Sequence, residues 1–233
     1  MKKHRWLYIG IILNALITFD IDIYAQHKTT MGLNIIGARS KIYGDQMLAM
    51  LTNSPKNSIS TGISFQSDLT RFIGYSIGLN YLNLGCGFED ADGDLINDDL
   101  NKKIDVIASL KYIQLPLSID ILFFKDRRLY VFTGAYISKL LKGTIVGSIN
   151  DYSAFLDDTD LNENITDEFT SIDYGFIFGM GSQIRLHKKI MVGIDMHYDL
   201  GNQIVNKNNA EIPDYKLKNR ALVLDIGLLY EIK

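Results

Sequence analysis

The chain has 233 residues, a formal net charge of −3, 47% hydrophobic residues, 19 glycines, 3 prolines and a single cysteine. One cysteine cannot pair within the chain, so a disulfide-built module is excluded. The aliphatic content excludes a disordered or collagen-like chain, and Lys+Arg 24 against Asp+Glu 27 leaves no basic excess with which to bind nucleic acid.

Residues 1–25 read as a secretory signal peptide. Lys2, Lys3 and Arg5 form a basic n-region, residues 6–19 are apolar, and Ala25 is the small residue at the cleavage position. The apolar stretch is shorter than the roughly 20 residues that a helical membrane span needs. The expected mature domain is therefore 26–233.

From there on, apolar residues recur with period two, which is the signature of strands with one apolar face. Met31, Leu33 and Ile35 alternate with Gly32 and Asn34, and Ile59, Thr61, Ile63 and Phe65 alternate with Gly62, Ser64 and Gln66. Ile73, Tyr75, Ile77, Leu79 and Tyr81 continue the pattern, as do Ile113, Leu115, Leu117, Ile119 and Ile121 against Tyr112, Gln114, Pro116, Ser118 and Asp120. The segment 129–141 is mixed on both faces and does not reveal its orientation. The contrast is sharpest near the end of the chain. In 172–186, 190–200 and 222–232 the even-numbered positions are apolar, except Ser182, and the odd ones are mostly glycine or polar. This makes about eight strands, many longer than the 5 to 6 residues usual in soluble sheets.

The connectors alternate in length. Long polar ones at 39–57, 85–105, 143–170 and 201–218 are separated by very short ones at 68–71, 125–128 and 187–189. Short turns at one end and long loops at the other characterise outer-membrane barrels. The expected fold is all-β: an eight-stranded antiparallel transmembrane β-barrel with short periplasmic turns and long extracellular loops, located in the cell outer membrane. The alternation by itself also fits a lipocalin-like barrel with its apolar face inside, so strand length and loop asymmetry decide between the two. Pairing across the turn at 187–189 sets Gly181 opposite Asp195 and Gly179 opposite His197. Pro116 predicts a bulge, because a closed barrel has no edge on which a missing donor is harmless.

Several segments together resemble the outer-membrane β-barrel proteins of Bacteroidota that include the PorT-like proteins. They are Tyr112-Ile113-Gln114-Leu115-Pro116-Leu117, Tyr130-Val131-Phe132-Thr133-Gly134-Ala135-Tyr136-Ile137-Ser138, Asp173-Tyr174-Gly175 with Gly179-Met180-Gly181, Tyr198-Asp199-Leu200-Gly201-Asn202, and Leu224-Asp225-Ile226-Gly227-Leu228-Leu229-Tyr230. The chain departs from the usual aromatic ending, since Glu231-Ile232-Lys233 follow Tyr230. The resemblance implies an outer-membrane location and a link to an envelope secretion or gliding complex, with no shared catalytic residues.

Chemistry-bearing residues are few. Asp90, Asp92, Asp94 and Asp98 form an acidic run with partial calcium-loop spacing. Leu95 and Asn101 stand where an EF-hand needs glycine and glutamate, so a solvated loop is the simpler reading. His197, flanked by Asp195 and Asp199 on one face, could act as a general base. The simpler reading is a polar cluster inside the barrel formed by Asp173, Arg185, Asp195, His197 and Asp225, in which opposite charges compensate one another. No zinc cluster or phosphate loop is present in the sequence, and no cofactor is expected. The partners expected are outer-membrane lipid and an envelope protein complex. A non-enzymatic structural or interaction protein leads; a lipid-modifying enzyme or a narrow pore are the alternatives.

Overall fold

The computed structural model describes residues 28–44, 52–89, 102–123, 129–151, 159–202 and 217–232. The expected signal peptide and Asp90, Asp92, Asp94 and Asp98 lie outside the described residues. Nine strands are present among those described: β1 (Thr29–Tyr43), β2 (Thr52–Asp68), β3 (Ile73–Glu89), β4 (Lys102–Leu122), β5 (Tyr130–Asp151), β6 (Thr159–Asn164), β7 (Ile172–His187), β8 (Ile190–Gly201) and β9 (Lys218–Glu231). No helix among them is long and apolar enough to cross a membrane.

Eight strands close into an antiparallel barrel. Neighbours in the chain pair throughout, β5 pairs with β7, and β1 closes the ring against β9 from Thr30↔Glu231 to Tyr43↔Lys218. β6 stands apart from the ring. It continues the sheet beside the far end of β5, where β5 has already left β7, and pairs Thr144↔Asn164 to Ile149↔Thr159. A row of inward residues followed round the wall runs Thr30, Gln66, Ser76, Ser118, Gly134, Ile177, Asp199 and Ala221, and returns to β1 at Ser40. That stagger of ten residues over eight strands corresponds to a strand tilt of about 40°.

The faces follow the alternation in the sequence. Leu33, Ile59, Phe176, Ile194 and Leu228 point outward and are exposed. A soluble protein could not leave such a continuous apolar surface in water. In hydrocarbon it costs nothing, while closure gives every strand of the ring a partner on both sides. The register across the β7–β8 turn is the expected one, with Gly181 opposite Asp195 and Gly179 opposite His197. The glycines are spatially required: a Cβ on Gly181 would lie 2.6 Å from the Tyr130 ring, and one on Gly179 would lie 2.6 Å from the His197 Cβ. β5 resolves the ambiguous segment. Tyr130, Tyr136 and Ser138 are buried inside, while Leu129, Ile137 and Leu141 are exposed outside.

Three expectations need correction. The strands run on into the stretches read as long loops: β1 reaches Tyr43, β2 begins at Thr52, β4 at Lys102, and β5 ends at Asp151. The bulge expected at Pro116 is absent. Register is continuous on both sides of it, and the missing donor is accommodated instead by a lapse in pairing with β3 between Ile77↔Leu117 and Asn80↔Gln114. Gly78 faces the ring, and a Cβ there would stand 3.0 Å from Pro116 Cγ. The register shifts lie elsewhere, between Pro55 and Thr61 in β2, between Lys111 and Tyr112 in β4 and between Arg185 and His187 in β7. The third correction concerns Arg185 and is given with the site.

Candidate functional site

The polar residues with chemical capacity lie on the inward positions of the strands, and cross-strand register decides which of them meet. Toward the turn end and the middle of the barrel, Asn34 Nδ2 donates to Asp225 Oδ2 at 3.0 Å, and Ser64 Oγ donates to Asn34 Oδ1 at 3.2 Å. Asp120 accepts from Ser76 Oγ at 2.6 Å and from Ser118 Oγ at 3.1 Å. The Tyr130 hydroxyl donates to Asp195, and Gln183 donates to Gln66. These groups surround a cavity of about 60 Å³ lined by Asn34, Asp120, Tyr130, Asp195, His197 and Asp225 among others. That is room for one or two waters and too little for an organic substrate.

A second set lies nearer the loop end. Asn219 Nδ2 bridges the Tyr112 hydroxyl and Asp173 Oδ2, both at 3.1 Å. Gln114 Nε2 donates to Asp199 Oδ2 at 3.2 Å. His197 joins the two sets. Its Nε2 is 3.8 Å from Asp199 Oδ1, too long for a hydrogen bond, and its ring meets Phe132 edge-on at 5.9 Å. Nε2 of His197, Oδ1 of Asp199 and Oδ1 of Asp173 are buried without a hydrogen-bond partner.

Of the five residues predicted to form one cluster, Asp173, Asp195, His197 and Asp225 face the lumen, and Asp195 stands directly opposite Asp225. Asp173, Asp195 and Asp225 belong to distinct hydrogen-bonded sets, and His197 lies between those sets. Arg185 is placed differently. It lies at the turn end of β7, where Nη2 donates to Glu231 Oε2 at 2.6 Å and Nη1 to the Lys188 carbonyl. The reason is geometric: β7 has left the enclosed lumen by that point, so a guanidinium there finds solvent and the rim carboxylate. Sequence reasoning missed Asn34, Gln114, Asp120, Tyr130 and Asn219 as members. The alternation marks Asn34, Gln114 and Asp120 as inward, but their partners depend on register between strands distant in the chain.

Chemically, the arrangement is a set of carboxylates held by amide and hydroxyl donors. Among the described residues no group of three or more His, Cys, Asp or Glu side chains converges to hold a metal ion. His197 Nε2 has no hydrogen-bond partner among the described residues.

The profile of the outer membrane protein beta-barrel domain family matches residues 19–205. No curated protein matches the chain. Solved structures with a similar course include the outer membrane protein AlkL (14% identity, covering 90% of this chain and 92% of that one, TM-score 0.49). Another is OprG from Pseudomonas aeruginosa (13% identity, 88% and 95%, TM-score 0.45). A third is the outer membrane protease OmpT from Escherichia coli (10% identity, 92% and 98%, TM-score 0.43).

Proposed function

From the premise that this chain belongs to the outer membrane protein beta-barrel domain family, and so resides in the outer membrane, we propose that it is a non-enzymatic barrel with a structural or interaction role, acting through its loop end. The observation that carries this reading is the filled lumen. Tyr112, Tyr130, Leu82, Leu110 and Met191 are at most 2% exposed inside the barrel, and the lumen cavity beside His197 is about 60 Å³ among the described residues. The strands are also far longer than the roughly 9–11 residues that span a bilayer. β4 has 21 residues and β5 has 22. With the short turns in the periplasm, the excess wall projects outward from the cell and is the surface offered to partners.

The resemblance of the sequence motifs to PorT-like Bacteroidota barrels supports assigning those partners to an envelope secretion or gliding complex, while the basic n-region, the apolar stretch and Ala25 support a signal peptide at 1–25 cleaved before Gln26. The experiment is affinity recovery of the protein from native envelopes combined with planar-bilayer recording. An envelope complex should co-purify, no steady current should flow, and mass spectrometry should find Gln26 at the mature terminus. A stable ion current, or a lipid-modifying activity lost in His197→Ala, would overturn the non-enzymatic, closed-barrel reading.

A further inference from the structure

The outward face of the barrel changes character at one level. Toward the turn end it is apolar and aromatic, with Tyr75, Phe123 and Tyr230 at outward positions and the nearby charges confined to turns. Toward the loop end the same face becomes basic at Arg39 and Lys41 on β1, Lys56 on β2, Lys111 on β4, Lys139 on β5 and Arg220 on β9. Pairing fixes the outward orientation of Arg39, opposite exposed Leu222, and of Lys139, opposite exposed Ile172. Lys56, which pairs with buried Ser40 next to the register shift of β2, reaches the outer face through its bonds to Asn83 and Ser109. Compared residue by residue across the sheet they look scattered. The barrel's stagger, however, lifts each successive strand by about 3 Å along the axis. With that lift, the six residues fall within about 5 Å of one height and form a belt.

The belt is crowded with like charge. Lys41 stands directly opposite Arg220, and Lys111 directly opposite Lys142. The Arg220 guanidinium and the Lys41 ammonium both stand over the Tyr43 ring, at 4.5 and 5.8 Å from its centroid. Lys56 Nζ reaches toward β4, bonding Asn83 Oδ1 at 2.6 Å and Ser109 Oγ at 2.8 Å. Like charges placed directly opposite destabilise a sheet. None of the six belt residues has a carboxylate partner among the described residues. Arg220 Nε is in addition buried with no hydrogen-bond partner.

These positions point sideways, flush with the top of the apolar band, so what lies against them is the headgroup layer of the membrane. We infer that the belt is a docking surface for phosphorylated lipid headgroups, whose phosphates bridge the like-charged pairs. Phosphate is the fitting partner because Arg and Lys clusters at an interface gain most from a dense, multiply charged anion. Placing these lipids in the outer leaflet rests on the orientation proposed above. Lipid retention in symmetric vesicles does not depend on orientation, so the two readings can fail separately.

The test is lipid retention by the full-length protein reconstituted in phosphatidylcholine vesicles containing a minority of diphosphoryl glycolipid, extracted gently and examined by native mass spectrometry. Wild type should carry the glycolipid in excess over its vesicle fraction and release it as ionic strength rises. Arg39→Gln, Lys111→Gln, Lys139→Gln and Arg220→Gln should each lower retention about fivefold. Lys188→Gln with Lys189→Gln at the turn end should leave it unchanged. The heat-modified gel shift confirms folding for each variant. Should the Arg220 variant fail to fold, Lys139→Gln and the salt series on wild type still decide. Retention unaffected by the belt substitutions, equal loss in the turn-end variant, or equally strong binding of soluble tripolyphosphate would overturn the assignment.

Discussion

The two storeys of the lumen are built on opposite rules. From the turn end to mid-barrel, the inward side chains are mainly polar and satisfy one another, as in Asn34 with Asp225 and Asp120 with Ser76 and Ser118. Toward the loop end an apolar core of Ile36, Ile42, Leu82, Leu84, Leu110, Leu140 and Val223, roofed by Ile165 and Phe169, packs around the few polar pairs Asn219–Asp173 and Gln114–Asp199. The difference follows from what lies outside the wall. Where the outer face meets hydrocarbon, burying apolar residues inside gains little, and polar residues confined inside fix the register. Where the outer face meets water, the wall needs a core like that of any soluble domain. The loop end of the barrel thus has a buried apolar core of its own beyond the lipid-facing band.

If that division is right, the largest single-residue loss should come from the upper core. Leu110→Ala removes a side chain with no exposure and should cost about 2–5 kcal/mol in chemical denaturation. A negligible cost would mean that the upper core does not stabilise the barrel. In the lower storey the sensitive face is the outer one. Ile194→Arg should cost about 2–4 kcal/mol near the bilayer midplane, measured by unfolding in lipid. Asp195→Asn, one residue away and facing inward, should cost clearly less, and a reversed order would refute the assignment of faces.

Smaller effects sharpen the picture of the polar network. Asn34→Ala strips Asp225 of its amide donor and should cost about 1–3 kcal/mol, read as a lower temperature for loss of the fast-migrating band on unboiled gels. His197→Ala should shift the same band while leaving membrane location unchanged. The least effect is expected for Arg185→Gln, since its pair with Glu231 is on the rim, with side chains 38% and 23% exposed. Such pairs contribute about 0–1 kcal/mol, which a thermal melt would barely register.

The division into storeys also explains what the sequence revealed. In β7, β8 and β9 one face meets lipid and the other is lined with glycine and carboxylates, so alternation alone yields both the faces and the Gly179↔His197 register. In β5 the signal is scrambled, because Tyr130, Phe132 and Tyr136 fill the lumen while Thr133 and Ala135 face outward. The upper ends of β1 and β2 were illegible for a different reason. Above the membrane the wall is wet outside, and polar runs such as Ser54-Pro55-Lys56-Asn57-Ser58 look like loop although they pair as strand. Site partners such as Asn219 with Asp173 are 46 residues apart and meet only through register.

The seam between β1 and β9 has a consequence for how the molecule comes into being. Asn34 and Asp225, joined across that seam, are 191 residues apart in the chain. The first strand to leave the secretion channel must therefore wait for the last before its free edge is covered. Ring closure is the most non-local step available to this chain, and non-local steps are slow. Until then, β1 presents an open row of amides and carbonyls beside an apolar face, the combination most prone to pair with a stranger. Escort across the periplasm and templated closure in the membrane are therefore built into the topology as requirements of biogenesis.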